Sequence, residues 1–515
     1  MSVQATFDER ASERSTVFET FKACGPLAIV LVAIGGVALG LLFWYAAVTR
    51  IAAAADLTEL TFVVAIALGL AVAGSAWYAY GHYFARRAGI EPIAAMRWDA
   101  ISWAVVAIYP LGFIAPVSLA NPSRMAFAAI ALAALAKVLI ASRFVHTVRD
   151  VLITFIVTRI PIIVIAELAS VIIAQRPGDH FAVSANPLLA VWGRWDAIHY
   201  LDIARRGYYG TDMAFFPLYP LLIRIVGAAI GNYLVAGILI SNAAFFFGLL
   251  FFYKLVEHQY NRTVAHRAIF YVSIFPTAVY FSAVYTEALF FALTVASFYY
   301  IREHKWLTAG ILGGLAALTR VEGVLLFVPY AIEALVPSAA GSWINPFAGR
   351  ARSLRLVIGA LCIPLGLALY MGLLWVLNGD PFYFSHVQSH WNRHLSGPWV
   401  SVWHSLSLMF TSKFGTTIAG QAIELAFTGL MIGVLAVGFR RLRPSFTAYS
   451  GLSILVPMST SSLMSMPRFA LVLFPMFVIL AIWGERPWVH NAIVAFALPL
   501  LGLFTVLFAD WYWVA

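Results

Sequence analysis

Charge is what this sequence has least of. Only 11% of its 515 residues are Asp, Glu, Lys or Arg and 62% are hydrophobic, where a soluble domain carries about 25% and roughly 45–50%. That scarcity excludes a soluble enzyme and requires an integral membrane chain. Cysteine is nearly absent. Cys24 and Cys362 lie far apart in apolar runs, which excludes a disulfide framework and a CxxC redox or zinc motif. Long polar stretches are missing too. About fifteen spans of ~20 residues would use roughly 300 positions and leave loops of modest size, with no room for a large soluble domain. At the start, Arg10, Arg14 and Lys22 mix with Asp8, Glu9, Glu13 and Glu19; this is too polar for a cleavable signal peptide and reads as a cytoplasmic tail.

What is there is hydrophobic and helical. Apolar runs predict an all-α polytopic fold with spans near 26–49, 60–82, 101–119, 125–142, 151–174, 233–253, 267–281, 285–301, 306–319, 322–336, 355–377, 417–438, 446–461, 468–484 and 489–509. With the tail inside, the inner loops hold 20 of the 33 basic residues, from Arg10 to Arg486, and none lacks one, as the positive-inside rule requires. The basic excess is therefore a topology signal and not a nucleic-acid footprint. The odd number of spans leaves Trp511-Tyr512-Trp513 outside as an interfacial anchor. Residues 1–145, four spans with few polar groups, are expected to be an accessory unit ahead of an eleven-span core over 146–515.

Two outer loops, 175–232 and 378–416, are too long to be mere connectors. The first contains Arg194-Trp195-Asp196-Ala197-Ile198-His199-Tyr200, then Asp202, Arg205 and Arg206. A helix begun after Asp196 puts Ala197, Leu201 and Ala204 on one face and His199, Asp202 and Arg206 on another, so it is interfacial and amphipathic. One reading makes Asp196 its N-cap, Asp202 and Arg206 a surface pair and Trp195 a headgroup anchor. The other notes that arginines gather on the side where positive charge is normally sparse, which points to an anionic partner such as a lipid phosphate. An Arg-Trp-Asp-Ala-Ile copy at 97–101 precedes an inner span, where Asp99 reads as an N-cap and Arg97 as an inside charge.

Further ionisable groups cluster at predicted outer span ends: Glu287, the pair Arg320 and Glu322, and Arg468. At such depth they mark a functional site by default, although Arg320 paired with Glu322 or Glu287 would neutralise both. The second long loop adds Asp380, an N-cap before Pro381, then His386, His390, Arg393 and His394. His386 and His390 have metal-ligand spacing, but spacing positions no third ligand. Neither a metal nor a cofactor is expected.

On these residues the chain resembles the PIG-V family, the membrane mannosyltransferases that add the second mannose of GPI anchors. The resemblance starts with Arg194-Trp195-Asp196-Ala197, His199-Tyr200, Gly207-Tyr208 and Phe215-Phe216-Pro217-Leu218-Tyr219-Pro220. It continues through Phe281-Ser282-Ala283-Val284-Tyr285-Thr286-Glu287 and Thr319-Arg320 with Gly323 to Pro467-Arg468-Phe469 and Phe474-Pro475, covering about 146–515. Val321-Glu322 departs from the family pattern, and 1–145 has no counterpart in the eukaryotic enzyme. The resemblance implies a GT-C-like core and transfer of a sugar, mannose first, from a polyprenyl-phosphate donor to a lipid or glycan acceptor on the extracytoplasmic face. It maps the general base onto Asp196. Substrate contacts are expected from Arg194, Trp195, His199, Tyr200, Arg206, Glu287, Arg320, His390, Arg393 and Arg468. The chemistry agrees, since an attacking hydroxyl needs a base and a departing phosphate needs cations; single displacement would invert the anomeric carbon. Arg outnumbers Lys 28 to 5, which points to a GC-rich bacterial genome, a plasma-membrane location and an acceptor other than GPI. The rival reading is a transporter or flippase of a lipid-linked anion, which would normally show two matching halves; no such repeat is present. A structural scaffold leaves the outer-loop charges unexplained.

Overall fold

A computed structural model of the chain describes residues 145–176, 181, 183–335, 350–413 and 415–514. The first four expected spans, Cys24, Arg97 and Asp99 lie outside the described residues. The chain divides into two units, Met1–Val148 and Arg149–Ala515, and all but the first few described residues belong to the second.

Among the described residues there is no β-strand, only one isolated antiparallel bridge between Leu395 and Thr460. The α-helices of more than one turn are α1 Val145–Ile172, α2 Ala197–Arg206, α3 Leu218–Ile230, α4 Tyr233–Gln259, α5 Arg262–Ser273, α6 Glu287–Arg302, α7 Trp306–Ala317 and α8 Phe327–Leu335. They continue as α9 Arg350–Asn378, α10 Pro398–Thr411, α11 Thr416–Gly438, α12 Pro444–Met458, α13 Met466–Val472, α14 Phe474–Trp483 and α15 Pro487–Ala509. Five of these, α1, α4, α9, α11 and α15, are long and apolar enough to cross a membrane. The pair α13 and α14 becomes a sixth if its 72° bend is counted as a broken span. The other expected spans of the core are helices of 9 to 16 residues, roughly 14–24 Å at 1.5 Å per residue.

Local chemistry explains the breaks. Asn232 and Asn261 accept the N–H groups of Val235 and Val264 and so start α4 and α5. Gly207 and Gly231, with φ of 87° and 80°, end α2 and α3 in a conformation that costs glycine nothing. Pro475 in the first turn of α14 has no N–H to continue α13. Where α5 stops, Arg159 of α1 reaches in, donating 2.6 Å to the Ser273 carbonyl and 2.8 Å to that of Ala278, with its guanidinium over Phe245. A fully buried arginine in a span is thus used to satisfy carbonyls freed by a helix end.

Helix α6 is buried on nearly every side, as expected of a helix that is apolar all round. It is the central element of the core. Its neighbour α7 meets α9 backbone to backbone, because Gly310 and Gly314 face Gly359, Cys362 and Gly366. A Cβ on Gly310 would overlap the Gly359 carbonyl, and small residues four apart are what permit such approach in membranes. Gly310→Leu should therefore lower the melting temperature or abolish folded protein on size-exclusion chromatography, whereas Gly372→Leu on α9, with nothing within 4 Å of its Cβ position, should change neither.

Candidate active site

Four separate stretches contribute to one line of alternating charge. Arg468, near the start of α13, donates through Nη1 to Asp196 Oδ2 at 2.6 Å and through Nε to Glu287 Oε1 at 2.6 Å. Glu287 Oε1 also accepts from Arg320 Nη1 at 3.0 Å, and Arg320 Nε lies 3.5 Å from Glu322 Oε2. The Arg468 guanidinium is flanked by the Tyr280, Tyr285 and Trp513 rings, and that of Arg320 by Phe290 and Phe469. Charges this deep require partners, and each of the five has at least one. The N-terminus of α6 adds its positive dipole end to Glu287.

The two carboxylates on Arg468 differ in one decisive respect. The Glu287 side chain is 0% exposed, while that of Asp196 is 26% exposed. Of the two, Asp196 is the one open to solvent, and Glu287 is left to hold the two arginines.

Asp196 does not behave as a helix cap. It occupies the cap position of α2, but its backbone is helical and its side chain accepts no cap hydrogen bond; the carboxylate is turned toward Arg468. Trp195 makes this possible by adopting φ 55°, a left-handed conformation costly for a bulky residue. The Tyr285 hydroxyl clamps that turn, donating to the Arg194 carbonyl at 3.1 Å and accepting the Asp196 N–H at 3.2 Å. The Trp195 ring then packs edge-on against Trp511 and Trp513. Trp511 is buried and stacked under Arg194, so the C-terminal tryptophans, read from sequence as an interfacial anchor, instead wall the site. Burial lowers the Arg194 guanidinium to about 10, with Asp510 acting in the opposite direction. Its Nε and both Asp510 carboxylate oxygens are buried without hydrogen-bond partners.

Beside Asp196 lies an aromatic box. His199 Nδ1 is 2.7 Å from Asp212 Oδ1, and its ring stacks on Phe215 with Trp391 edge-on to both. Tyr370 of α9 fixes this wall by donating to the Met213 and Phe215 carbonyls at 2.8 and 2.9 Å. Tyr200 is buried below, 3.4 Å from the Thr286 hydroxyl, and burial raises its phenol well above the usual range.

The remaining sequence candidates divide. Arg393 senses Glu322, Glu424, Arg468 and Arg320 electrostatically, and burial lowers its guanidinium; its Nε has no hydrogen-bond partner. His390 touches the Trp391 ring at the exposed rim. Arg206 is 74% exposed and paired with Asp202 at 2.8 Å, which is the surface pair of the simpler reading and not part of the cluster. Asp380 accepts from the Phe382 N–H and pairs with His386 at 2.7 Å. Among the described residues no three His, Cys, Asp or Glu converge as a metal site.

Sequence reasoning passed over Asp212 and Glu424 and gave Trp511 and Trp513 a different role. Asp212 orients His199. Trp511 and Trp513 close the wall. Glu424 of α11 accepts the Ser465 and Met466 N–H groups at 3.0 and 2.9 Å, holding the start of α13 and thereby Arg468. A signal for Glu424 was available, since a lone carboxylate inside an apolar run is expensive without a task.

Parts of the chain are similar to known proteins. Over 84 residues the chain is 32% identical to GPI mannosyltransferase 2 of Cryptococcus neoformans var. neoformans serotype D, strain JEC21, and equally to that of strain B-3501A. Those matches take in 14% of this chain and span 20% of the relatives' length. Among solved structures, ArnT from Cupriavidus metallidurans bound to undecaprenyl phosphate aligns with 69% of this chain and 76% of its own, at 13% identity and a TM-score of 0.39. The Archaeoglobus fulgidus oligosaccharyltransferase tethered with an acceptor peptide aligns with 68% of this chain and 54% of its own, at 13% identity and a TM-score of 0.33. The model of the family described as Mannosyltransferase (PIG-V) matches residues 132–377 and ends before Arg468. Residues 132–377, which supply Asp196, Glu287 and Arg320, are thus similar to the family described as Mannosyltransferase (PIG-V).

Proposed function

We propose that this chain is an inverting α-mannosyltransferase of the GT-C type, moving mannose from a polyprenyl-phosphate donor to a lipid or glycan acceptor on the extracytoplasmic face of the plasma membrane. The observation that carries the reading is Asp196, a partly exposed carboxylate released from capping duty and aimed by a buried arginine. In the proposed step the acceptor hydroxyl attacks the anomeric carbon as Asp196 takes its proton. A new C–O bond forms, the bond to phosphate breaks, and polyprenyl phosphate leaves with the electron pair. One displacement converts a β-linked donor into an α-linked product.

The arginines take different parts in this reading. With Nε and Nη1 committed to carboxylates, Arg468 orients the base and lends positive potential to the departing phosphate. Arg320, tied to Glu287 and Glu322, extends that potential. Arg393, with its unpartnered Nε, is assigned the direct phosphate contact. Arg194, Trp195, Tyr200 and His199 shape the acceptor side, with His199 kept in place by Asp212.

Purified protein incubated with polyprenyl-phosphate-mannose and a membrane extract should yield a product heavier by one hexose on mass spectrometry. No hexose transfer from that donor, with transfer from another polyprenyl-phosphate sugar, would reassign the donor. Sidedness has its own check. Cysteines at Tyr209 and Leu395, both highly exposed, should react with a membrane-impermeant maleimide in intact cells, and one at Arg440 should not. The reverse labelling pattern would put the site on the cytoplasmic side.

A further inference from the structure

Helix α6 starts at Glu287 in the charge cluster and ends at Arg302, roughly 22 Å away at 1.5 Å per residue. At that far end lies a cavity of about 290 Å³ lined by His258, Gln259, Tyr260, Arg302, Arg441, Leu442 and Arg443. Three guanidinium groups converge there against one carboxylate, Glu333, which binds Arg302 at 2.8 Å and Arg443 at 3.1 Å. Arg441 has no carboxylate partner among the described residues, and Tyr260 donates to its carbonyl at 3.0 Å. Both side-chain amide atoms of Gln259 and the Nε of Arg302 are buried without hydrogen-bond partners, and such groups are costly when left unmade. Unneutralised forked donors suit a phosphate, and an amide offering both a donor and an acceptor suits a phosphate beside a hydroxyl. Val437 and Phe439, four and two positions before Arg441 in the chain, are exposed apolar side chains, and acyl chains can lie against such side chains.

We propose that this pocket binds the headgroup of an anionic, hydroxyl-bearing phospholipid in the leaflet opposite the candidate active site. The alternative source of the same chemistry is free phosphate, and ordinary inner-face basic charge is the simpler competitor. The full-length protein in detergent is titrated with phosphatidylglycerol or phosphatidylcholine and bound lipid is read by native mass spectrometry. Phosphatidylglycerol should be retained in preference, and Arg441→Gln should cut that preference roughly fivefold, the worth of one interfacial arginine. Gln259→Leu changes no charge and should weaken binding similarly. A loss in Arg441→Gln with none in Gln259→Leu would reduce the feature to surface potential and overturn the pocket. Displacement of the lipid by millimolar inorganic phosphate would overturn the lipid assignment in favour of free phosphate, and equal retention of both lipids would overturn the site altogether.

Discussion

Asp196→Asn should lower turnover by ~10²-fold or more, the usual worth of a positioned general base, with little change in donor affinity or melting temperature. The competing role is already removed by the structure. Asp196 makes no side-chain cap bond, so there is no cap for the substitution to damage. Asparagine retains an oxygen that can accept from Arg468 Nη1, which lies 2.6 Å from Asp196 Oδ2, so the geometry should survive. What it lacks is the capacity to take up the acceptor's proton. Asp202→Asn, at a partly exposed carboxylate paired with the exposed Arg206, is the matched control and should retain activity. Near wild-type turnover in Asp196→Asn would leave the base assignment without support and pass the role to the His199 and Asp212 pair.

Glu287→Ala should be the most destabilising substitution in the site, at about 3–5 kcal/mol, the range measured when one partner of a buried ion pair is removed. Glu287 is fully buried and its Oε1 serves both Arg468 and Arg320. Alanine would leave two buried guanidiniums short of a counter-charge and free Arg468 to swing away from Asp196. Thermal unfolding in detergent, with activity on the surviving fraction, checks both consequences. Glu287→Gln keeps the volume and should cost less stability while still losing turnover. Native stability in the alanine variant would show that the line of alternating charge does not support the fold.

Much of this was legible because membrane physics leaves few choices. The composition called for membrane spans, and among the described residues the apolar runs coincide with helices in order. The face of α2 bearing Ala197, Leu201 and Ala204 was readable from 3.6-residue periodicity, and all three are buried. The cost of charge in hydrocarbon singled out Glu287, Arg320 and Arg468 before any of them could be seen to touch. Membrane cost says that a deep charge must have a partner; it does not say which partner.

That choice belonged to the tertiary structure. Asp196 and Arg468 are 272 positions apart, and no local pattern connects them. They meet because α6 is buried as the central element, α13 breaks from α14 at Pro475, and Glu424 holds the start of α13. Local rules, moreover, favoured the wrong role for Asp196, since an Asp before an amphipathic helix is normally a cap. A left-handed Trp195, held by the Tyr285 hydroxyl from across the site, turned that carboxylate away from its own helix. Sequence therefore determined that this is a helical membrane protein with a small set of costly buried charges, because hydrophobicity and periodicity act locally. Which carboxylate stays reachable, which arginine orients it, and that Trp511 and Trp513 wall the site rather than anchor the chain were decided only when distant segments packed, because those properties depend on contacts the chain order does not encode.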